Sequence, residues 1–522
     1  MRKQFLLSAL LLISFVSALH IEKVAAQKPA NVSAWPRGIT YEIFVLAFAD
    51  SDGDGKGDIK GMTSKLDYLK DLGVEGIWLM PMHPSPSYHK YDVSDYYNIH
   101  PDYGTLDDFR KFIEEAHKRN IKVVMDMVIN HSGRQHPWFK DAMANPNSPY
   151  REYYVFTHKD DPQTKVPGRI IAGDSGNRNR WNKIDSLSDF LYYAYFTRNM
   201  PDLNFDSPKL RDEVFKIGRF WISEIKVDGF RLDAARHIFP DDRPKDNHRW
   251  WVYFRNEMQK ANKDVYLVGE VWAPAEIVGP YMEGLPALFN FDMGNAITKA
   301  VNAERGDSLT INHKKIRDFY KSINPEYVDA TFLTNHDQNR IMSAVDNNMD
   351  KAKMAASLLL TLPGSPYLYY GEEIGMQGKK PDQYIREPFI WDVKTNDKSR
   401  TAWIAPRYSA DSSVVPAAQQ IKDKNSLYNH YKTFIQLRNT NRALTYGELE
   451  PISLSNKELC AFVRSTNEES VLVLHNLSQA DVTINLPASL GEYNKFVFKN
   501  KEATVKNNAV MIPSYSTVIL KK

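Results

Sequence analysis

The sequence predicts an α/β protein: a (β/α)8 TIM barrel with an irregular insertion after its third strand and an antiparallel β-sandwich at its C-terminal end. Short apolar runs alternate with segments of helical period over most of the 522 residues. Eight such repeats favour a closed barrel over an open sheet. The stretch 132–199 interrupts the alternation and is rich in Asn, Asp, Arg and aromatic residues. From about residue 445, short alternating strands such as Val471–Leu474 follow without helices, as is typical of a sandwich.

The individual elements follow from the spacing of apolar side chains. Continuous apolar runs indicate buried strands, whereas apolar residues three and four positions apart indicate helices. The predicted barrel strands are 39–48, 76–80, 121–128, 229–233, 266–271, 287–292, 327–334 and 366–370. The predicted helices are 62–72, 106–116, 208–224, 248–262, 314–323, 351–362 and 427–435. The barrel is therefore expected to comprise 34–131 and 200–444, the inserted domain 132–199, and the C-terminal domain 445–522.

The N-terminus has the features of a secretory signal peptide over residues 1–26. Arg2 and Lys3 precede the apolar run from Phe5 to Leu19, which is short for a membrane span. Small residues then precede Gln27, as removal of a signal peptide by cleavage before Gln27 would require. The alternative is an uncleaved anchor. No cysteine stands near this position, so a lipid anchor is not expected. The sequence thus predicts a secreted or periplasmic protein without a stable membrane anchor.

The composition is that of an ordinary soluble globular protein. Hydrophobic residues make up 43% of the chain and charged residues 25%, and the formal net charge is +3. This weak charge does not indicate nucleic acid or an anionic membrane as a partner. Cys460 is the only cysteine, so no intrachain disulfide can form, and its apolar neighbours indicate a buried strand thiol. The sequence gives no indication of the oligomeric state.

An acidic, glycine-rich loop follows the first predicted strand. Carboxylates spaced along a turning backbone provide the hard oxygen ligands that calcium prefers. The loop resembles the first half of an EF-hand, but its twelfth position is Gly61 instead of the bidentate Glu, which excludes that motif. A solvated acidic turn is the alternative. The sequence predicts a Ca²⁺ site with the side chains of Asp50, Asp52, Asp54 and Asp58 as ligands.

The stretch from Asp228 to His237 places charged residues at the end of a strand. Because strand side chains alternate, Arg231 and Asp233 point to one face and the apolar residues between them to the other. A nearby Arg favours the ionised form of a carboxyl group, and an ionised, positioned Asp can act as a nucleophile. An ordinary ion pair at a strand end is the alternative interpretation.

Three other predicted strands also end in charged or polar residues. Active sites of (β/α)8 barrels are built from the segments that follow the strands. Three acids meeting there fit glycosidic cleavage: a nucleophile, a proton donor and a charge that stabilises the transition state. Glu270 follows an apolar strand without a neighbouring cation in sequence, which makes it the best candidate for a raised pKa. The four strand ends are Asp126–His131, Arg231–Asp233, Glu270–Trp272 and Asn335–Asp337.

These segments resemble the four signature segments of the α-amylase family of glycoside hydrolases. They are Asp126–His131, Gly229–His237, Gly269–Trp272 and Phe332–Asp337, while Met200–Asn204 resembles the fifth segment and Tyr367–Glu373 the eighth-strand pattern. The resemblance covers roughly residues 38–445 and extends to the insertion and the C-terminal β domain. It implies hydrolysis of α-glucans with retention of configuration, with Asp233 as nucleophile, Glu270 as acid/base and Asp337 as stabiliser of the transition state.

The resemblance also implies a set of substrate-binding residues. Tyr91 matches the aromatic residue that stacks on the sugar at the cleavage site. Arg236 stands where relatives usually carry Lys, which keeps the charge but changes the shape. The remaining implied contacts are His89, Asp92, His131, Arg231, His237, His336 and Arg340. The acidic loop matches a calcium site of part of the family, with Lys56 contributing its carbonyl, and Asn130 matches a ligand of a second metal site.

The sequence features that indicate the specific activity are fewer than those that indicate the family. Ala234 follows the predicted nucleophile, and in the glucosidase branch a small residue there accompanies α-1,4 linkages. The segment Met200–Asn204 is intermediate between oligosaccharide α-1,6-glucosidases and neopullulanases. Asp92 and Arg340 would favour exo action if they met. An endo-acting α-amylase is the first expectation, before a neopullulanase or α-glucosidase and then a glucanotransferase. A non-catalytic glucan-binding protein is disfavoured because all three acids are present.

Overall fold

A computed structural model describes residues 31–165, 180–185 and 188–522. Its central feature is a closed barrel of eight parallel strands in which each strand pairs with the next along the chain and the last pairs with the first. The predicted (β/α)8 fold is thereby confirmed. The strands are β1 (Ile39–Ile43), β2 (Val74–Leu79), β3 (Lys122–Met127), β4 (Gly229–Leu232), β5 (Tyr266–Gly269), β6 (Ala287–Asn290), β7 (Val328–Phe332) and β8 (Ser365–Tyr369).

Helices connect the strands and cover the outside of the barrel. Many begin at a side-chain cap, as at Thr105, whose hydroxyl accepts from the amide of Asp108 in a reciprocal capping box. The α-helices of the barrel region are Val45–Phe48, Ile59–Ser64, Leu66–Leu72, Leu106–Lys118, Pro208–Arg219, Pro244–Ala261, Ala275–Val278, Phe291–Ala303, Leu309–Ile323, Ile341–Ala344, Met349–Thr361, Ala417–Gln420, Leu427–Thr440 and Arg442–Tyr446. A π-helical turn, Phe220–Ile225, extends the helix that ends at Arg219.

Two predicted strands are shorter than expected because the chain turns into a helix. The strand predicted over 39–48 ends at Ile43, and Val45–Phe48 is a buried helical turn whose Leu46 carbonyl accepts from the amide of Gly57. The strand predicted over 287–292 ends at Asn290, whose side chain caps the following helix by accepting from the amide of Met293. A continuous apolar run cannot distinguish a strand from a buried helical turn.

The barrel interior is a packed core. Large aromatic side chains meet inside it: Trp78 lies 5.1 Å from Phe289, and Phe289 lies 5.1 Å from Tyr367, measured between ring centroids. Apolar side chains such as Val268 and Ala330 fill the remaining space. Because the interior is filled, a ligand can reach the barrel only at its ends.

Two antiparallel sheets form the C-terminal region, as predicted for a sandwich. Side chains such as Leu472, Val510 and Val518 lie in the core shared by the sheets, and Cys460 is fully buried. The first sheet contains Glu448–Pro451, Leu459–Ser465, Ser470–Asn476, Ser516–Lys521 and Lys495–Lys499, and the second contains Val482–Asn485, Ala509–Ile512 and Thr504–Lys506.

The insertion after β3 is less regular. Its described part contains the helix Pro137–Ala144 and a three-stranded antiparallel sheet of Phe156–His158, Phe190–Tyr193 and Trp181–Lys183. The predicted signal peptide at 1–26 lies outside the described residues. Within the described ranges, no helix combines the length and apolarity that crossing a membrane requires.

Candidate active site

A cleft with a cavity volume of about 290 Å³ lies at the C-terminal ends of the barrel strands. The three acids expected from the sequence, Asp233, Glu270 and Asp337, all line it. So do five of the expected substrate-binding residues: His89, Tyr91, His131, Arg236 and His237. Residues not assigned to the site from the sequence also contribute, among them Phe196, Thr197, Lys380, Asp382 and Arg386. The segments that follow six different strands thus meet in one cavity.

Asp233 is directed toward the cleft by the strand that precedes it. Arg231 and Asp233 share the inward face of β4 because strand side chains alternate. The chain then turns sharply at Ala234, whose φ of 46° is left-handed, before the short helical turn Ala235–His237. A residue with a side chain in this region is uncommon and often marks a functional site.

One buried guanidinium contacts three carboxyl groups. Arg231 is 1% exposed, and its Nη1 lies 2.6 Å from Asp233 Oδ1 and 3.0 Å from Asp126 Oδ1. Its Nη2 lies 2.8 Å from Glu270 Oε2. Burial raises the pKa of Asp126 to about 7, although the cation of Arg231 opposes that shift. The arginine therefore fixes Asp233 and Glu270 beside each other and holds a third acid beneath them.

Glu270 can remain protonated above the usual range of a carboxyl group. Burial raises its pKa, the charge of Arg231 opposes the increase, and the carboxylate of Asp233 adds to it. The sequence shows no cation near Glu270, whereas the fold brings Arg231 from β4 into contact with it. The raised pKa is nevertheless the direction expected from the sequence, and a protonated Glu270 can donate to an oxygen atom bound in the cleft.

Asp337 has the opposite electrostatic environment. Burial alone would raise its pKa, but the nearby charges of His336 and Arg386 lower it to about 2. Arg386 Nη2 lies 2.9 Å from Asp337 Oδ1, and its Nε donates to the carbonyl of His336 at 2.9 Å. Asp337 therefore carries a negative charge throughout the neutral range. Sequence reasoning did not identify Arg386, which lies in a loop after β8 without a recognisable pattern around it.

Tyr91 and His336 form a stacked pair at the base of the cleft. Their rings lie 5.7 Å apart at an angle of 14°, and Tyr91 Oη lies 2.6 Å from His336 Nε2. His336 Nδ1 lies 2.5 Å from Glu42 Oε1 in β1. Although burial opposes it, Asp337 and Glu42 raise the pKa of His336. Glu42 was also not identified from the sequence, because a single acid inside an apolar strand has no local signal of function.

His89 and His131 contribute neutral rings. Burial lowers the pKa of His89 to about 4 and also lowers the pKa of His131. His89 Nδ1 lies 3.1 Å from Ser87 Oγ, and His131 Nε2 lies 3.2 Å from the carbonyl oxygen of Tyr91. Neutral imidazoles at these positions can exchange hydrogen bonds with sugar hydroxyl groups.

Arg236, His237 and Trp272 also line the cleft. Arg236 lies 3.5 Å from Asp241, and the ring of His237 packs 4.2 Å from Tyr195. Trp272 is 36% exposed and stacks on Phe291 at 4.4 Å and 9°. The outer face of the cleft therefore offers both charge and a flat aromatic ring.

Arg340 and Asp92, which are expected from the sequence to contact the substrate, are not among the residues that line this cleft. Arg340 is buried, donates to the carbonyls of Ile385 at 2.9 Å and Tyr370 at 2.6 Å, and lies over two tyrosine rings. Asp92 is also buried and accepts from the hydroxyl of Ser85 at 2.5 Å. Each charged group thus bonds to protein groups around it, although Arg340 Nη2 has no hydrogen-bond partner.

The acidic loop brings three of its four aspartates together. Oxygen atoms of Asp50, Asp52 and Asp58 all lie within 4.8 Å of one another. Calcium–oxygen distances of about 2.3–2.6 Å allow two ligand oxygens on one ion to lie up to roughly 5 Å apart. These residues therefore fit a calcium ion. Asp54 is not part of this group, and its Oδ1 accepts from the amide of Lys56 at 2.7 Å.

Asn130, expected at a second metal site, is buried at the end of β3. Its Oδ1 has no hydrogen-bond partner, whereas its Nδ2 lies 3.2 Å from His131 Nδ1. An unpaired buried carbonyl oxygen is a suitable metal ligand. Among the described residues, however, only the Asp50 group has three acidic or histidine ligands close enough to share an ion.

Comparison with known proteins identifies the family of the chain. The sequence model of the α-amylase catalytic domain matches residues 42–447, and that of the α-amylase SusG C-terminal domain matches residues 459–519. The chain is 41% identical over 519 residues to "Alpha-amylase 3" of Dictyoglomus thermophilum, across 99% of this chain and 98% of that protein. It is 33% identical over 449 residues to a 4-α-glucanotransferase of Thermotoga neapolitana, across 85% of this chain and 96% of that protein.

A solved structure gives the same result for the fold. The α-amylase from H. orenii matches with a TM-score of 0.86 at 43% identity, covering 93% of this chain and 99% of that one. The match spans the barrel, the insertion and the C-terminal sheets together because it covers nearly the whole chain. Sequence, fold and cleft agree, and the chain belongs to the α-amylase family of glycoside hydrolases.

Proposed function

We propose that this protein is a retaining, endo-acting α-amylase that cleaves α-1,4-glucosidic bonds in starch, glycogen or maltooligosaccharides. The observation that carries the proposal is the contact of the single Arg231 guanidinium with both Asp233 and Glu270. Carboxyl groups that share one guanidinium lie side by side. This supports the separation of about 5–5.5 Å found in retaining enzymes over the wider separation of inverting ones.

In the first step, Asp233 and Glu270 act on opposite sides of the scissile bond. An oxygen of Asp233 attacks the anomeric carbon while Glu270 gives its proton to the departing glycosidic oxygen. The product is a glycosyl ester on Asp233, and Glu270 is left ionised. Positive charge that develops on the sugar ring is stabilised by the carboxylate of Asp337, whose pKa of about 2 keeps it ionised.

In the second step, water replaces the released chain. Glu270, now a carboxylate, takes a proton from the water molecule as its oxygen attacks the anomeric carbon. The ester bond to Asp233 breaks, and both carboxyl groups return to their starting states. Two inversions at the same carbon give net retention. The Tyr91 ring would stack on the sugar, and Arg231, His131 and His336 would hold its hydroxyl groups.

The preference for endo action rests on the surroundings of Arg340. Its Nε and Nη1 donate to the carbonyls of Ile385 and Tyr370, and Asp92 accepts from the hydroxyl of Ser85, so the two residues do not form a pair that would close the cleft. The small residue Ala234 beside the nucleophile supports α-1,4 specificity. The strongest competing activity is glucan transfer, since a 4-α-glucanotransferase is 33% identical to this chain. Neopullulanase and α-glucosidase are the remaining alternative activities.

The proposal is tested by the products formed from maltoheptaose. We expect α-anomeric maltooligosaccharides of several lengths when proton NMR and chromatography follow the reaction from its first minutes. Glucose as the sole product would show an exo-acting α-glucosidase, and products longer than the substrate would show a transferase. Initial β-anomers would contradict retention. No turnover of maltoheptaose or pullulan would overturn the enzymatic proposal itself.

We also propose that the acidic loop binds Ca²⁺ through Asp50, Asp52 and Asp58. The chemistry of the donors supports this, since all three supply hard carboxylate oxygens. Asp54 and the carbonyl of Lys56 remain proposed ligands, as does Asn130 for a second ion. A calcium ion in the loop would neutralise the clustered negative charge and hold the turn in place. It would take no part in bond cleavage.

Removing calcium is therefore expected to lower the melting temperature by several degrees. An ion present at 100 times its Kd stabilises the folded state by about 2.7 kcal/mol. Differential scanning calorimetry with calcium and after exhaustive chelation measures the change. The matched variant Asp50→Asn should melt lower with calcium present and respond little to chelation, whereas Asp107→Asn on an exposed helix surface should behave like the parent. An unchanged melting temperature after chelation would contradict the calcium site.

We propose that the protein is secreted or exported to the periplasm. Support comes from the sequence of residues 1–26 alone, where two basic residues precede an apolar run and small residues precede Gln27.

A further inference from the structure

The acidic loop is hydrogen-bonded to a distant segment of the chain, residues 399–403. The amide of Asp50 donates to the carbonyl of Ser399 at 2.9 Å, and the amide of Ala402 donates to the carbonyl of Gly55 at 2.6 Å. Gly55 has a left-handed φ of 87°, and a Cβ atom there would lie 3.3 Å from the Cβ of Ala402. The two segments are therefore joined at the start of the loop and again in its middle, where they also approach closely.

Trp403 extends from this segment toward the substrate cleft. Its ring stacks on Tyr88 with centroids 5.2 Å apart and planes at 20°, and it packs edge-on against Phe44 at 5.5 Å. Stacked and edge-on aromatic contacts of this kind fix the orientation of both partners. The position of the Tyr88 ring thus depends on that of Trp403.

Tyr88 belongs to the loop that carries two cleft residues. Its ring contacts the ring of the adjacent His89 at 5.3 Å, and the guanidinium of Arg386 lies 5.9 Å from its centroid. Both His89 and Arg386 line the cleft. Tyr88 therefore contacts two residues of the cleft wall.

The conformation of the loop around Tyr88 depends on contacts with other segments of the chain. Lys90 has a left-handed φ of 65°, and its buried ammonium group bonds back to the carbonyl of Ser87 at 2.8 Å. A non-glycine residue in this region is held there only when its surroundings require it. The aromatic contact with Trp403 is an external contact that can impose this conformation.

We infer that Trp403 is a positioning residue, whose ring couples the conformation of the acidic loop to the positions of Tyr88 and His89. Trp403 itself is not among the residues that line the cleft. The inference rests on the proposed calcium site and extends it: the ion in the acidic loop sets substrate affinity as well as stability. The same contacts imply that calcium and glucan bind with positive coupling, since each favours the same arrangement of residues 399–403 and 87–91.

The test measures glucan binding and stability in the same proteins. The Glu270→Gln variant, in which cleavage is suppressed, is titrated with maltotetraose by calorimetry, with calcium and after chelation. Into this background are placed Trp403→Leu, which keeps apolar volume but removes the flat ring, and Trp403→Phe, which keeps a ring. Trp35→Leu is the matched control, because Trp35 is likewise partly buried and packs edge-on against Tyr266 at the other end of the barrel.

We expect Trp403→Leu to weaken maltotetraose binding by roughly tenfold, with Trp403→Phe within about twofold of the parent. Chelation should weaken binding by the parent but add little in Trp403→Leu, because coupled changes are not additive. Trp35→Leu should lower the melting temperature without changing affinity. In the active enzyme, Trp403→Leu should raise KM more than it lowers kcat.

Two results would overturn the inference. Trp403→Leu could bind maltotetraose as the parent does while melting lower, which would leave Trp403 a purely structural role. Chelation could leave the affinity of the parent unchanged, which would separate the acidic loop from the cleft. Failure of the proposed function would be distinguishable, because calcium-loaded parent protein would then neither bind nor cleave maltooligosaccharides.

Discussion

Replacing Asp233 with Asn is expected to lower kcat on maltoheptaose by roughly 10⁴-fold or more. The amide is nearly the same shape but cannot form the glycosyl ester, so the two-step route is lost. Binding should persist, because Tyr91 and the histidines are untouched. Steady-state kinetics measures the loss, and calorimetric titration of the variant with maltotetraose shows whether the cleft remains formed. A variant that keeps more than about a hundredth of the activity would exclude Asp233 as nucleophile.

Azide distinguishes the nucleophile from the acid/base. In Asp233→Gly, azide can enter the space left by the carboxylate and should yield β-glycosyl azide from a substrate with a good leaving group. In Glu270→Gly, the ester on Asp233 still forms, and azide should attack it from the opposite face to yield α-glycosyl azide. The configuration of the azide product therefore shows whether the missing carboxyl group was the nucleophile or the acid/base. Exchanged configurations would reverse the two assignments.

The barrel was predictable because its signals are local and repeated. Each strand is a short apolar run, and each active-site acid follows such a run directly, as Asp233 follows Leu232 and Glu270 follows Gly269. The ends of parallel strands meet at one edge of the barrel, so residues far apart in sequence could be placed in one site. The helix Phe291–Ala303 was missed because apolar residues continue past its cap at Asn290, so the strand was extended over the first turn of the helix.

The parts of the site that could not be predicted depend on contacts between distant segments. Arg386 is close to Asp337 only because the loop after β8 folds back over β7, and no spacing in the sequence marks it. Arg340 was assigned to the substrate by analogy, yet its guanidinium bonds to carbonyls of that same region. Whether a charged side chain faces a ligand or the protein interior is decided by its neighbours in space.

Replacing Arg231 with Met is expected to affect both activity and stability, because this guanidinium contacts Asp126, Asp233 and Glu270 together. Removing the cation leaves buried carboxyl groups without compensation, which costs about 3–5 kcal/mol of unfolding free energy near pH 7. We expect kcat to fall by about 10²–10³-fold, since the two reacting carboxyl groups lose their common anchor. Arg231→Lys is the matched control: it keeps the charge but lacks the fork that reaches three partners.

The pH dependence of the Met variant gives the sharper test. The Arg231 cation lowers the pKa of both Asp126 and Glu270, so without it both values rise further. Glu270 donates only while protonated, and the alkaline limb of kcat/KM should therefore move to higher pH.

The stability of the Met variant should also depend on pH. When the pKa of a carboxyl group is higher in the folded than in the unfolded state, the folded state loses stability as pH rises between those values. The stability lost in Arg231→Met should accordingly be smallest near pH 4–5 and grow toward pH 8, as urea unfolding at several pH values would measure. A loss that is constant with pH would mean that Arg231 supports the cleft through packing alone, and the electrostatic assignment of Glu270 would fail with it.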